Sequence, residues 1–231
     1  MASMVIFSQS SLASGGGPEL KSADIDVSDQ ASLQRGAKMF TDYCLSCHSA
    51  KFVRFNRVAE DLGLSEKQVM ENLNHLGVKF GSTMTTSMTK EYAKQTFGAV
   101  PPDLSLVGRS RGADWLYSYL LGFYQDKSKT TGFNNTIFKD VGMPNVLWEL
   151  QGTQKATFDE HGKLIKMDLE QGQLSPAEFE SSVRDLVAFL SYIGEPRQLE
   201  RKRLGVWVLI FLSLFFVVAY ALKKEYWKDV H

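Results

Sequence analysis

The sequence predicts a mainly α-helical domain with long loops and a small hairpin, followed by one C-terminal transmembrane helix. Three observations carry that expectation. Ser65-Glu66-Lys67-Gln68 and Ser175-Pro176-Ala177-Glu178 are helix-start signals, a capping hydroxyl answered three residues later by Gln or Glu. Thr157–Ile165 looks like a small hairpin turning at Gly162. Leu204–Leu222 runs without a charge and is framed by Arg201-Lys202-Arg203 and Lys223-Lys224. At the helical rise that run spans about 28 Å, close to the hydrocarbon thickness of a bilayer.

The chemistry is concentrated in Cys44-Leu45-Ser46-Cys47-His48. A C-x-x-C-H run reads as an attachment site for c-type haem. Cysteines three apart on a helical turn put both sulfurs on one side, where each can add to a porphyrin vinyl group. His48 then presents its imidazole to the iron. The chain has 2 cysteines in all, so a four-thiolate cluster is excluded. Thioredoxin-like chemistry and a zinc site remain as alternatives, the latter needing both sulfurs, His48 and one further histidine. With haem, the helical pattern becomes a class I-like c-type cytochrome domain.

Lys and Arg number 26 and Asp and Glu 26 in 231 residues, a balance that gives no footprint for nucleic acid. Attachment of c-type haem takes place outside the bacterial cytoplasm, so the haem domain is expected to be exported. Ser11-Leu12-Ala13 resembles a signal-peptidase site with cleavage after Ala13, although no Lys or Arg precedes it. Residues 1–14 are therefore expected to be a leader remnant, 15–200 the extracytoplasmic haem domain, 204–222 the anchor and 223–231 a cytoplasmic tail. Trp207, Tyr220, Tyr226 and Trp227 suit the two membrane interfaces. Basic residues are nearly balanced across the span, so the haem rather than charge orients it.

Along the chain, Gly15–Val27 reads as an extended lead-in and Ser28 as the cap of a helix from Asp29 to Tyr43. Leu33, Ala37 and Phe40 form its inner face. Gly36 beside that face suggests that another helix passes close by. Lys51–Arg57 alternates aromatic and basic residues, fitting either a haem-edge contact or a solvated strip. Ser65 opens a helix with Val69, Leu73 and Leu76 on one side, ended by Gly77. A short helix follows near Lys90–Thr96. Pro101-Pro102 fixes a rigid turn. Asp114 is read as the cap of a helix bearing Trp115, Leu116, Tyr119, Leu120 and Phe123. Gln125–Gly142 is a long polar loop. Ser175 caps the last helix of the domain, lined by Phe179, Val183, Leu186, Val187 and Leu190 and closed by Gly194 and Pro196. That helix is expected to pack on the first, and Arg197–Arg203 leaves little room for a hinge before the membrane.

A sixth ligand for the iron is sought among 8 methionines. Met143, on a loop and followed by Pro144, is the leading choice, since a neutral, soft thioether opposite His raises the reduction potential. Met84 and Met88 also lie in irregular chain and compete with it. His75 and His161 are the bis-histidine alternatives, read more plainly as a helix-end residue and a turn residue. Arg109 and Arg111 precede the aromatic helix, and either can offer a guanidinium fork to a haem propionate. Filled axial positions suit one-electron transfer rather than bond making, and no acid–base pair for catalysis stands out.

The order of these segments resembles cytochrome c1, the haem family of the ubiquinol–cytochrome c reductase complex. Cys44-Leu45-Ser46-Cys47-His48 comes first, then Pro101-Pro102-Asp103-Leu104-Ser105 with Arg109-Ser110-Arg111, then Gly142-Met143-Pro144-Asn145-Val146-Leu147-Trp148, then one span. The likeness covers roughly residues 15–231. It departs from the family in having Ala113 where a second glycine commonly follows Gly112. The resemblance implies one covalent haem c held by Cys44 and Cys47, with His48 and Met143 on the iron and Arg111 and Pro102 at the haem. It implies an electron taken from the Rieske iron–sulfur protein and given to a cytochrome c, beside cytochrome b in a dimeric complex of the bacterial inner membrane, haem domain on the periplasmic side. A stand-alone membrane-anchored shuttle and a haem subunit of a terminal oxidase are the competing readings.

Overall fold

The computed structural model describes residues 18–162 and 164–229. The expected leader remnant, the first residues of the lead-in, Lys163 in the hairpin and the end of the tail lie outside them.

Helix α1 (Gln30–Met39) starts at Asp29, not Ser28. The Asp29 carboxylate accepts from the Ser32 amide at 3.1 Å, whereas the Ser28 hydroxyl turns back to Asp26 at 2.6 Å. Past Met39 the helix widens into a π turn, Phe40–Cys44. Such a turn puts an extra residue into the spiral and is frequent at functional sites. Leu33, Ala37 and Phe40 are buried as expected. Strand β1 (Ala50–Arg54) leads into α2 (Phe55–Asp61). Arg54 donates to the Gly81 carbonyl at 2.6 Å and Arg57 to Asp61 at 2.8 Å, while Phe52 is exposed. The basic residues of the stretch are thus solvated, while Val53 and Phe55 turn into the core.

Ser65 and Gln68 form the expected capping box of α3 (Glu66–Asn72). The helix stops short of Gly77 because the Asn74 side chain takes over, donating to the Val78 carbonyl at 2.6 Å and accepting from the Val78 amide at 3.3 Å. Strand β2 (Thr83–Met84) pairs antiparallel with β1. Helices α4 (Lys90–Phe97), α5 (Val107–Arg111) and α6 (Ala113–Leu121) follow. Asp114 does not cap α6. It sits inside the first turn, and its carboxylate instead accepts from the Ala23 amide at 2.8 Å, pinning the lead-in.

The long loop contains a hairpin that its polar composition hid: β3 (Phe123–Gln125) pairs with β4 (Phe133–Asn135). After a short α7 (Trp148–Gln151), strands β5 (Gly152–Phe158) and β6 (Leu164–Gln171) make a longer hairpin than the sequence suggested. Helix α8 (Pro176–Gly194) opens with the full Ser175–Glu178 box and proline in its first turn. It runs through the core, with Val183, Leu186, Val187, Ala188 and Phe189 buried.

Two glycines let neighbours close on α8. A Cβ on Gly36 of α1 would lie 2.1 Å from the Asp185 carbonyl oxygen, and one on Gly108 of α5 would lie 2.5 Å from that of Leu190. Beside the first crossing the Asp185 carboxylate accepts from the Ser32 hydroxyl at 2.6 Å and from two nitrogens of Arg35 at 2.5 and 3.0 Å. The chain then passes through Glu195–Arg197 into α9 (Gln198–Tyr226), and Arg201 of α9 pairs with Glu195. Helix α9 is 29 residues long, with a mean hydropathy of 2.5 over its most apolar window and none of that window buried by the domain. Length and composition fit a single membrane span.

Substituting Gly36→Ala forces the α1–α8 crossing apart. Overpacking of this kind costs about 1–3 kcal/mol, and the loss should appear as a lower denaturant midpoint for the haem-loaded protein, with Ala37→Gly on the same helix as a comparison.

Candidate functional site

A cavity of about 340 Å³ opens between the π turn, α5, α6, α8 and the segments 97–104 and 138–146. Its floor is apolar: Leu116 and Leu120 from α6, Leu186 and Leu190 from α8, with Val107 from α5. Cys44, Cys47 and His48 line one side and Met143 lines the wall as well. Arg111 is the charged side chain among the described lining residues.

The π turn delivers the motif. The amides of Cys47 and His48 both donate to the Cys44 carbonyl, at 3.1 and 2.8 Å, which winds the five residues into a tight turn. Burial pushes the Cys44 thiol up to about 12, so in the polypeptide alone it stays protonated. A redox cysteine of the thioredoxin kind is usually the opposite, a thiol that ionises readily, whereas a zinc ligand is ionised by the metal itself. Among the described residues no three His, Cys, Asp or Glu side chains come together as a metal site. The thioredoxin-like and zinc alternatives have no support in this geometry.

His48 is almost fully buried, and its Nδ1 lies 2.8 Å from the Pro102 carbonyl oxygen. That carbonyl can only accept, so Nδ1 holds the proton and donates. Nε2 is then left with its lone pair. Burial also moves the His48 pKa down, which favours the neutral ring a metal requires. The proline pair is held in place by the haem-motif side of the chain. The Leu104 amide donates to the Ser49 carbonyl at 2.7 Å, the Lys51 amide to Asp103 at 3.0 Å and the Phe52 amide to the Ser105 hydroxyl at 3.1 Å.

Met143 is set by two asparagines that the sequence reading passed over. Asn134 Oδ1 accepts from the Asn135 and Asp140 amides, at 2.9 and 2.8 Å. Asn135 Oδ1 accepts from Ile137 and Phe138, at 2.8 and 3.2 Å, and its Nδ2 donates to the Tyr119 carbonyl at 2.7 Å. Asp140 takes a positive φ of 61°, which turns the chain towards the cavity. Downstream, Asn145 donates to Gln151 at 3.0 Å, and Gln151 and Gln154 both donate to the Leu121 carbonyl at the end of α6. The Met143 sulfur accepts from the Tyr119 hydroxyl at 3.3 Å. Burial pushes the Tyr119 phenol up, so it keeps its proton.

The competing residues lie elsewhere. Met84 is fully buried in the β1–β2 pair, and neither it nor Met88 lines the cavity. His75 is engaged by Asp42 at 2.7 Å on the surface, and His161 sits in the exposed hairpin turn. Arg111, not Arg109, borders the cavity, with its guanidinium 4.9 Å from the centre of the Trp115 ring. The donors present fit a haem: two thiols, an imidazole with a free nitrogen, a thioether, an apolar wall and a cation at the rim.

The sequence matches the family model described as the Cytochrome C1 family over residues 22–230. It is 52% identical over 228 residues to cytochrome c1 of Allochromatium vinosum, covering 95% of this chain and 93% of that one. It is 48% identical over 218 residues to a Nitrosomonas europaea protein named ammonia monooxygenase gamma subunit, covering 94% and 92%. A Bradyrhizobium diazoefficiens protein named cytochrome b/c1 is 28% identical over 237 residues, which span 88% of this chain and 34% of that protein.

Asn135→Ala should free the methionine loop. It leaves the Tyr119 carbonyl and two loop amides without their partner, a loss of about 1–3 kcal/mol. Limited proteolysis should then cut within residues 136–142 faster than in the unaltered protein.

Proposed function

The chain belongs to the cytochrome c1 family, membrane-anchored redox subunits that carry covalently bound haem c, and from that premise we propose that it relays electrons from a Rieske iron–sulfur protein to a cytochrome c. The observation that carries the reading is the joint placement of His48 and Met143 on one apolar cavity, with Cys44 and Cys47 beside them.

Haem c, when bound, supplies a carrier for one electron. The chain's own residues do the rest. Cys44 and Cys47 hold the group through thioethers. The Pro102 carbonyl keeps the His48 proton on Nδ1, so Nε2 keeps the lone pair that would hold the iron, and such a hydrogen bond also raises the basicity of the ligand. Met143 would hold the iron as a neutral thioether donor, a ligand pair with His48 that suits electron transfer rather than oxygen or peroxide chemistry. Arg111, braced on Trp115 at the cavity rim, would pair with a propionate. Leu116, Leu120, Leu186 and Leu190 exclude water and lower the local dielectric, which favours the reduced, less charged iron centre.

Helix α9 supports an anchor beside a membrane partner, and the composite name of the Bradyrhizobium protein supports cytochrome b as that partner. The reading places the haem domain on the periplasmic face of a bacterial inner membrane, within a dimeric complex. The name of the Nitrosomonas relative favours a second reading, a haem c subunit tied to a monooxygenase.

Purification of the full chain from membranes decides between them. Copurification with a b-type cytochrome and an iron–sulfur protein, and reduction of the c-type haem by quinol only when both are present, is the expected result. Reduction by another donor in their absence removes the quinol-oxidising role. At residue level, Met143→Leu should abolish the native low-spin ligation and lower the midpoint potential, while Met84→Leu and Met88→Leu leave both unchanged. The double variant Cys44→Ala/Cys47→Ala should lose the covalent haem on denaturing gels.

A further inference from the structure

Four cavity residues form a connected ladder on one side. The Arg111 guanidinium lies over Trp115, the Trp115 ring stacks on Tyr119 at 5.0 Å with an interplanar angle of 9°, and the Tyr119 hydroxyl reaches the Met143 sulfur. Tyr119 is gripped on its other sides too. Phe123 meets its ring edge-on at 5.1 Å and 69°, and Asn135 holds its backbone carbonyl. A ring fixed this firmly has little freedom to move its hydroxyl off the sulfur.

From this arrangement we propose that Tyr119 is a positioning residue for the electron-transfer site: its hydroxyl orients the Met143 thioether and sets how strongly that sulfur donates to iron. The inference rests on the reading of Met143 as an axial ligand. A thioether sulfur has two lone pairs. The hydrogen bond engages one and leaves the other available to a metal, so the hydroxyl selects which lone pair would bind and thereby the handedness at sulfur. The same bond draws electron density from the sulfur. A poorer donor stabilises oxidised iron less than reduced iron, which raises the reduction potential. The sequence carries no signal for this role, because Tyr119 falls on the apolar stripe of α6 and looks like any core aromatic.

Tyr119→Phe removes the hydroxyl and keeps the ring between Trp115 and Phe123. Replacing Tyr119 by 3-fluorotyrosine keeps the hydroxyl but makes it a stronger donor. Both changes are made in the full chain, haem-loaded, in detergent. Redox titration should show the midpoint potential falling in the phenylalanine variant and rising with fluorotyrosine, and the sulfur-to-iron charge-transfer absorption of the oxidised protein should shift in opposite directions. A purely structural role moves both substitutions the same way or neither, and either result overturns the proposal. Should Tyr119→Phe fail to assemble, fluorotyrosine alone decides: a rise supports the role, and no rise overturns it. Met143→Leu, run in parallel, separates the two levels. Retained native ligation there overturns the ligand reading itself, whereas lost ligation beside unchanged potentials at position 119 overturns only the inference about Tyr119.

Discussion

The structure depends on how closely α1 and α8 approach at Gly36. Residues near the two ends of the domain are brought together there, with no side chain between the Gly36 backbone and the Asp185 carbonyl. The contact does two things at once. It closes the chain on itself, so that the remaining helices pack against a fixed pair. It also sets the height at which α1 gives way to the π turn, and hence where Cys44 meets the cavity floor built by Leu186 and Leu190 of α8. Asp185 adds a buried carboxylate answered by Ser32 and Arg35, an arrangement tolerable inside a protein only because its partners are in place.

Around this pair the site is assembled from backbone groups more than from side chains. A proline carbonyl fixes the His48 tautomer, the Ser49 carbonyl holds the segment that bears that proline, and the Leu121 carbonyl ties the methionine loop to α6. Each is a main-chain acceptor that burial obliges to find a donor. The consequence is rigidity without an extensive ion-pair network. An electron-transfer site gains from this, since little has to rearrange when the charge on it changes.

Which parts of this were legible beforehand follows from where the information resides. Cys44, Cys47 and His48 lie within five residues, so their spacing alone points to their chemistry. The Ser65 and Ser175 boxes are local interactions within three residues, and both form as read. Gly36 could be recognised because a glycine is costly in a helix unless something needs the space. The misreadings share a cause. Ser28 and Asp29 are both good caps, and only the tertiary path of the lead-in decides between them. Asp114 looked like a cap because its real partner, the Ala23 amide, is far away in sequence. Asn134 and Asn135 sit in a polar loop whose composition conceals a hairpin, although two adjacent asparagines are a recognised means of folding a turn onto side-chain oxygens. The choice between Arg109 and Arg111 was a matter of helix phase, which the break at Gly112 makes unreadable without coordinates.

The connection between α8 and α9 has a mechanical meaning. The helix that walls the cavity passes through only Glu195–Arg197 before the chain enters α9, and the Glu195–Arg201 pair splints the joint. The anchor is then less a tether than a lever arm. A bilayer thinner than the apolar run tilts such a helix, and the splint passes that tilt to the domain above. Lipid thickness thereby sets the angle at which the cavity mouth faces the membrane surface.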